Sequence, residues 1–254
     1  MEGWALTTGA DPARTLLEDG FAVIPFASRC GEILGRRRHI MLGISPGNGY
    51  FCEQRLTAMV RWAARRFERV DLITAHTEMA MCTYLGRGYE PKHARARAYR
   101  DVRQMTNRIR RSVAASQANV GQVAVRYMND AFDSAAYLRA RREIARAQRE
   151  HPLLERTLTA MVTDALRGQM PPDWRPSADE LSAGREYLEM ELPYLMDTPG
   201  LLGVEESLFA YRVVPACAPF LYGPDACLPV SPGQGFITVQ DPPTRDACTG
   251  GTAA

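Results

Sequence analysis

Residues 38–75 carry the pattern that most restricts the fold of this chain. The segment RHIMLGI, residues 38–44, is a short and nearly continuous apolar run, which predicts a buried strand. A bend rich in glycine and proline follows, and over residues 53–69 the apolar side chains recur at helical spacing. The next apolar run, VDLITA at residues 70–75, predicts a second strand. Strand, helix and strand in this order form a βαβ unit, which requires a parallel sheet with a right-handed crossover.

The rest of the chain extends this α/β pattern. Short apolar runs predict two more strands, at residues 21–26 and 208–215. Periodicity and helix-start signals predict four long helices, at residues 91–113, 134–150, 152–168 and 177–192. The last begins with a capping-box signature, Ser177 followed three residues later by Glu180. We expect one domain over residues 1–240, a Rossmann-like parallel sheet flanked by helices, and a flexible tail over residues 241–254.

Several functional classes are disfavoured by what the sequence lacks. No apolar run approaches the roughly 18–20 residues of a membrane span, so no membrane partner is expected. The N-terminus shows no basic start followed by an apolar stretch, so we expect no signal peptide. The six cysteines form no C-x-x-C pair, which argues against a structural zinc site. Reduced thiols in the cytoplasm are the simplest interpretation.

Ser45 lies in the bend after the first strand of the βαβ unit. Ligands of parallel sheets bind beyond the carboxyl ends of the strands. The segment GISPG, residues 43–47, fits the G-x-S-x-G pattern of a hydrolase nucleophile, although a purely structural turn uses the same residue types. Such a hydrolase needs a late histidine, and the last histidine here is His151. A serine without a histidine base is better suited to an ester that is already activated, such as an aminoacyl ester of tRNA.

Three motifs together resemble the cyclodipeptide synthase family. GISPGNGYF at residues 43–51 is similar to its serine signature, and YLEMELP at residues 187–193 to its second signature. Tyr211 stands about twenty residues further on, where the family has a third conserved element, and the resemblance covers about residues 21–215. These enzymes convert two aminoacyl-tRNAs into a 2,5-diketopiperazine. Their fold resembles the catalytic domain of class I aminoacyl-tRNA synthetases without the ATP-binding motifs.

The resemblance implies a role for each of four residues. Ser45 would carry the first aminoacyl group as an ester, and Tyr211 would relay a proton during ring closure. Tyr187 and Glu191 would hold the α-amino group. They are four residues apart and therefore share one helix face, a spacing that ordinary exposed pairs also show. No cofactor or metal is expected, because charging of the tRNA has already activated the carboxyl group.

Other positions around the serine loop are predicted to bind substrate. One subfamily pairs an asparagine in this loop with a histidine after the third-motif tyrosine, and the other has a proline there. Asn48 matches the asparagine, but Arg212 stands at the histidine position, so the subfamily stays open. We expect Arg212 to contact an acidic second aminoacyl group or the tRNA end, because a half-buried guanidinium needs an anionic partner. Backbone groups near Met41 and Gly43 are expected to line the first pocket. Gly49, where many members have serine, permits the same bend.

Residues 91–111 predict a basic helix with one apolar stripe, formed by Ala94, Ala98, Val102, Met105 and Ile109. Eight cations lie outside the stripe, at Lys92, Arg95, Arg97, Arg100, Arg103, Arg108, Arg110 and Arg111. Asp101 is the one acidic residue within this helix. A helix surface with eight cations and one anion attracts polyanions, which is more than an ordinary solvent-exposed face requires. The family binds the tRNA acceptor arm through a basic helix here, so we expect these eight residues to bind tRNA.

The whole basic half of the chain favours such a partner. The first 171 residues hold 27 basic and 17 acidic side chains, whereas the remainder holds 4 and 12. We expect two aminoacyl-tRNAs as partners and no DNA, and the oligomeric state stays open between monomer and homodimer. A serine hydrolase and a non-catalytic tRNA-binding protein are the alternative functions.

Overall fold

A computed structural model describes residues 15–168, 170–171 and 173–241. These residues form the strands β1 (Leu16–Glu18), β2 (Phe21–Pro25), β3 (His39–Ile44), β4 (Arg69–Thr74), β5 (Val123–Tyr127), β6 (Ser207–Tyr211) and β7 (Gln234–Gln240). They also form the helices α1 (Ser28–Arg36), α2 (Glu53–Arg66), α3 (Thr77–Leu85), α4 (Pro91–Ser116), α5 (Ala135–Glu150), α6 (Pro152–Arg167), α7 (Ala178–Leu202) and α8 (Ala218–Tyr222). Of the tail predicted over residues 241–254, all but residue 241 lies outside the described residues.

The strands form one sheet in the order β1-β2-β7-β6-β3-β4-β5. The five strands from β7 to β5 are parallel, and β1 and β2 add an antiparallel pair at the β7 edge. Strands β4 and β5 follow β3 on one side of it in the sheet, whereas β6 and β7 lie on the other side of β3. This reversal leaves a crevice at the carboxyl ends of β3 and β6, where α/β proteins bind ligands. The predicted α/β fold with a parallel sheet flanked by helices is confirmed.

Helices cover both faces of the sheet. Ile40 and Leu42 of β3 point into one core with α2 and part of α4, whereas Met41 points into the other core with α5, α6 and α7. Every residue of β3 is buried. A strand covered on both faces reads as a continuous apolar run rather than an alternating one, which is why this strand was visible in the sequence.

Two predicted ends differ from the structure by four residues or more. Helix α7 runs to Leu202 instead of ending near residue 192. It tolerates its internal prolines through a kink at Asp197, whose side chain accepts a hydrogen bond from the backbone N–H of Gly200 at 2.9 Å. Strand β6 ends at Tyr211 rather than at residue 215.

The predicted basic helix is confirmed as α4, and its five stripe residues are buried. Within the described part of the chain, no helix combines the length and the apolar character that crossing a lipid bilayer demands.

Candidate active site

The serine loop, residues 45–51, is a tight bend at the carboxyl end of β3. The N–H of Asn48 bonds to the carbonyl of Ser45 at 3.4 Å, and the N–H of Phe51 bonds to the carbonyl of Asn48 at 3.2 Å. The Asn48 side chain accepts the N–H of Tyr50 at 3.0 Å. Gly47 has a φ of +72°, a conformation that other residues rarely adopt. These contacts fix the loop and leave Ser45 partly exposed at the sheet edge.

A cavity of about 680 Å³ opens beside this loop, and the four predicted catalytic residues line it together. Ser45 comes from the loop after β3, Tyr211 from the end of β6, and Tyr187 and Glu191 from one face of α7. The Ser45 hydroxyl lies 2.9 Å from the Tyr211 hydroxyl. Three elements far apart in the chain therefore place one nucleophile, two phenols and one carboxylate around a single space.

Glu191 is the most unusual group of the cavity. No described residue donates a hydrogen bond to it or forms an ion pair with it. Burial raises the pKa of this carboxyl group to about 7. Near neutral pH it therefore exchanges a proton readily, and as a carboxylate it can hold an ammonium group.

The phenols of Tyr187 and Tyr211 stay protonated. Burial, followed by the charge of Glu191, raises the pKa of Tyr187 well above its ordinary value. Burial also raises the pKa of Tyr211, and this outweighs the opposing effect of its hydrogen bond with Ser45. Both hydroxyls can therefore donate hydrogen bonds and pass a proton on, but neither is a strong base.

Among the described residues, the Tyr211 hydroxyl is the one side-chain group within hydrogen-bond distance of the Ser45 hydroxyl. Ser45 therefore lacks the histidine partner that a hydrolase nucleophile uses. Glu189, the neighbouring carboxylate in the second motif, is not among the residues that line the cavity, because side chains two residues apart on a helix lie on different faces. It bonds to Arg185 at 3.1 Å and to Gln148 at 3.0 Å.

Met41 and Gly43 do not lie where the sequence predicted. Neither is among the residues that line the cavity. Met41 is fully buried, with its sulfur 3.9 Å from the Thr198 hydroxyl, because its side chain points into the core below the site. A Cβ on Gly43 would lie 3.0 Å from the Phe209 ring and 3.3 Å from the Tyr211 ring. Gly43 therefore lets Tyr211 lie close to β3 but does not form a pocket wall.

Asn48 and Arg212 both line the cavity. The Arg212 guanidinium lies over the Tyr50 ring, 5.2 Å from its centroid. Its Nε is buried and has no hydrogen-bond partner within the described part of the chain. An aromatic ring therefore supports this cation from one side, and a donor remains available to a ligand.

The eight cations of α4 are divided in their contacts. Arg108 is half-buried and donates to the Phe51 carbonyl at 2.9 Å, and Arg111 pairs with Glu53 at 2.8 Å. These two fasten the helix to the serine loop and to α2. Four of the others have no ion pair with any residue that the structure describes: Lys92, Arg97, Arg103 and Arg110. Their exposed charges are available to a polyanion.

Asp101 is a cavity residue that sequence reasoning missed. It was counted only as the acid within the basic helix, but it accepts a hydrogen bond from the Tyr84 hydroxyl. One of its oxygens would lie 3.1 Å from a Cβ on Gly47, so the pair braces the serine loop from α4. The signal was its position seven residues after Ala94, which places it beside the buried stripe.

Cys30, Cys82, Cys217 and Cys227 are free thiols. The described residues contain no group of three or more His, Cys, Asp and Glu side chains arranged to hold a metal ion.

Comparison with known proteins gives a consistent result. The model of the family described as cyclodipeptide synthase matches residues 21–241. The cyclo(L-leucyl-L-leucyl) synthase of Bacillus subtilis is 31% identical over 228 residues, which cover 87% of this chain and 90% of that protein. The cyclo(L-tyrosyl-L-tyrosyl) synthase of Mycobacterium tuberculosis is 28% identical over 222 residues, which cover 87% and 76%.

A solved structure shows the same likeness. It belongs to a Mycobacterium tuberculosis cyclodipeptide synthetase that is related to type I tRNA synthetases. Its TM-score with this chain is 0.82 at 26% identity, and the match covers 92% of this chain and 99% of that one.

Proposed function

The chain belongs to the cyclodipeptide synthase family, and we propose that it joins the aminoacyl groups of two aminoacyl-tRNAs through an ester on Ser45. One observation carries this mechanism: Ser45 and the unpaired carboxyl group of Glu191 face the same cavity, and Ser45 has no histidine partner among the described residues. Such a serine is matched to an ester that arrives activated. We further propose that this takes place in the cytoplasm and that residues 1–240 act as one catalytic domain.

In the first step the Ser45 oxygen attacks the ester carbon of the first aminoacyl-tRNA. The bond between that carbon and the ribose oxygen breaks, and the uncharged tRNA leaves. The Tyr211 hydroxyl, 2.9 Å from Ser45, passes the serine proton to the departing oxygen. The product is an aminoacyl ester on Ser45.

In the second step the stored amino group becomes the nucleophile. Glu191 and Tyr187 hold it as an ammonium, and Glu191, with a pKa of about 7, accepts one of its protons. The free amine attacks the ester carbon of the second aminoacyl-tRNA and releases the second tRNA, which leaves a dipeptidyl ester on Ser45. The terminal amine of the dipeptide then attacks that ester. This closes the six-membered ring, and Tyr211 returns the proton to Ser45.

The experiment that tests this function detects both the product and the intermediate. The chain is expressed in a bacterium, and the medium is analysed by mass spectrometry for diketopiperazines, with Ser45→Ala as the control. The purified enzyme is then mixed with one charged tRNA, the reaction is quenched, and the mass of the intact protein is measured by mass spectrometry. We expect an added aminoacyl mass on the native enzyme and none on Ser45→Ala.

Two results would contradict the proposal. Binding of charged tRNA without any added mass would favour a non-catalytic tRNA-binding protein. Strong labelling of Ser45 by a fluorophosphonate, without diketopiperazine formation, would favour a serine hydrolase.

A further inference from the structure

A second groove, of about 460 Å³, lies beside α4 and is distinct from the active-site cavity. The residues that matter for its chemistry are His76, Tyr99, Arg103, Asn107, Arg110 and Asn129. At 100° per residue, Tyr99 and Arg103 lie on the flank of α4 opposite Asp101, which faces the active-site cavity. Helix α4 therefore separates two concave sites at the same edge of the sheet.

An exposed aromatic ring and two unpaired cations share this groove. Tyr99 is 58% exposed, which is a large apolar surface to leave in water on a helix. Arg103 and Arg110 follow it at four and eleven residues, on the same side of α4, and neither has an ion pair within the described residues. A ring beside guanidinium groups is the combination on which nucleic acid bases stack and phosphates pair.

The groove also has hydrogen-bonding groups suited to a base edge. The Nδ1 atom of His76 is buried without a partner in the described part of the chain, and burial lowers the pKa of this imidazole. Exposed amides are available on Asn107 and Asn129. Glu78 is the one carboxylate among the residues that line the groove, and Arg95 offsets it at 3.6 Å.

The groove is close to the serine loop. Ile44 pairs with Thr74 and Thr74 pairs with Tyr127, so β3, β4 and β5 end level with one another. Tyr127, the last residue of β5, lines the groove, and two strand spacings separate β5 from β3, which is about 10 Å. A single strand whose last residue lies at Ser45 can therefore cross α4 and reach the groove.

We propose that the second groove binds an unpaired nucleotide near the 3′ end of a tRNA, with its base on Tyr99 and its phosphate on Arg103 and Arg110. This rests on the proposed function, because a charged tRNA is the ligand that brings a single-stranded end to Ser45. Stacking tolerates any base, so this contact does not depend on which amino acid the tRNA carries.

The test measures binding of uncharged tRNA by fluorescence anisotropy. Each variant is titrated with full-length tRNA and with the same tRNA lacking its three 3′ nucleotides. We expect Tyr99→Ala to weaken binding of the full-length tRNA about tenfold and to leave the truncated tRNA unaffected, whereas Tyr99→Phe keeps native affinity. Arg156→Ala, an exposed arginine on α6, is the matched control and should change neither.

Salt dependence separates the two kinds of contact. Arg103→Ala should reduce the slope of log affinity against log salt by about one, while Tyr99→Ala leaves the slope unchanged. If Tyr99→Ala weakened binding of both tRNAs equally, or of neither, the proposal that the groove binds the 3′ end would be wrong. This assay measures only the binding of uncharged tRNA. Absence of diketopiperazine in the product assay would therefore contradict the proposed function without affecting the conclusion about the groove.

Discussion

The two ends of the parallel sheet each hold a serine next to a hydrogen-bonding partner, and the two differ in access. At the amino end, the Ser207 hydroxyl lies 2.8 Å from His39, whose other ring nitrogen lies 2.9 Å from Asp71. This buried triad has the residue types of a hydrolase triad, but Nδ1 faces the serine and Nε2 faces the aspartate, which is the reverse of the catalytic arrangement. Its three residues are between 0% and 3% exposed. Asp71 is also paired with Arg69 and Arg126. The group joins four strands and stabilises the core.

At the carboxyl end, Ser45 has a weaker partner in Tyr211, but it faces a cavity with the unpaired Glu191. A serine, a histidine and an aspartate in hydrogen-bond contact are therefore not enough to identify an active site. Polar groups that satisfy one another and are sealed from water contribute stability, whereas accessible groups that the fold leaves without partners are those available to a substrate.

The largest expected effect comes from replacing one of the two serines, Ser45 or Ser207, with alanine. Ser45→Ala should lower diketopiperazine formation roughly 1000-fold or more, because it removes the atom that carries the intermediate. Ser207→Ala should keep the native rate per folded molecule. Product is quantified by mass spectrometry with purified charged tRNAs. A comparable loss in Ser207→Ala, with its fold intact, would show that the buried triad takes part in the chemistry.

Removing the carboxylate of the buried triad should act on stability instead. Burial opposes ionisation of Asp71, but hydrogen bonds from His39 and Arg126 outweigh it and hold its pKa below the ordinary value. Asp71→Ala leaves His39 and the arginines without their anion and should lower the free energy of unfolding by about 3–5 kcal/mol. Urea denaturation at pH 7 measures this. If Asp71→Ala kept the native stability but lost product formation, Asp71 would be part of the chemistry rather than a structural residue.

Glu191→Gln should separate function from stability at the carboxyl end. Product formation should fall about 100-fold or more, because the amide cannot accept the proton of the amine. The pKa of Glu191 rises from 4.5 to about 7 on folding, so the native chain holds a proton that the unfolded chain has released between these values. Stability from this group is therefore present below pH 4.5 and is lost as the pH rises to about 7.

The variant should consequently be more stable than the native chain at pH 8, and the difference should shrink towards pH 4.5. Urea denaturation at both pH values, with Glu189→Gln on the same helix as the control, measures it. Glu189 is hydrogen-bonded outside the cavity, so its variant should show no gain at pH 8.

The smallest effects should distinguish two glycines within the serine loop. Gly47→Ala introduces a side chain at a φ of +72° and 3.1 Å from Asp101, and should cost about 1–2 kcal/mol of stability and impair product formation. Gly49→Ser adds its side chain where no atom lies within 4 Å and should change stability by less than about 0.5 kcal/mol. A severe defect in Gly49→Ser would mean that this position contacts the substrate directly.

The sequence was sufficient to predict the βαβ unit and the four residues proposed as catalytic, which line one cavity, but not the elements around them. Helix α3, TEMAMCTYL, mixes apolar residues around its whole circumference, so no periodicity marked it. Strand β7 carries Gln234 and Thr238 among its apolar residues. Both are buried, and the Gln234 side chain accepts the N–H of Thr198 at 2.8 Å.

Contacts between distant segments explain the rest. The bond that joins His39 to Ser207 spans 168 positions in the chain, and the one between Tyr84 and Asp101 depends on how α3 meets α4. No local spacing encodes these contacts, because they follow from the order of the strands in the sheet and from the packing of the helices on one another. Sequence motifs located the reactive groups here, while the three-dimensional fold alone showed what supports them.

The attachment of α4 to the serine loop has a mechanical consequence. Arg108 donates to the Phe51 carbonyl and Arg111 pairs with Glu53, so two side chains of α4 connect the helix to the segment that follows Ser45. An RNA bound to α4, as we propose, would thereby be positioned relative to the Ser45 oxygen. Binding energy from contacts with this helix would then serve to align the ester carbon with the Ser45 oxygen. Small errors in this alignment slow the reaction strongly.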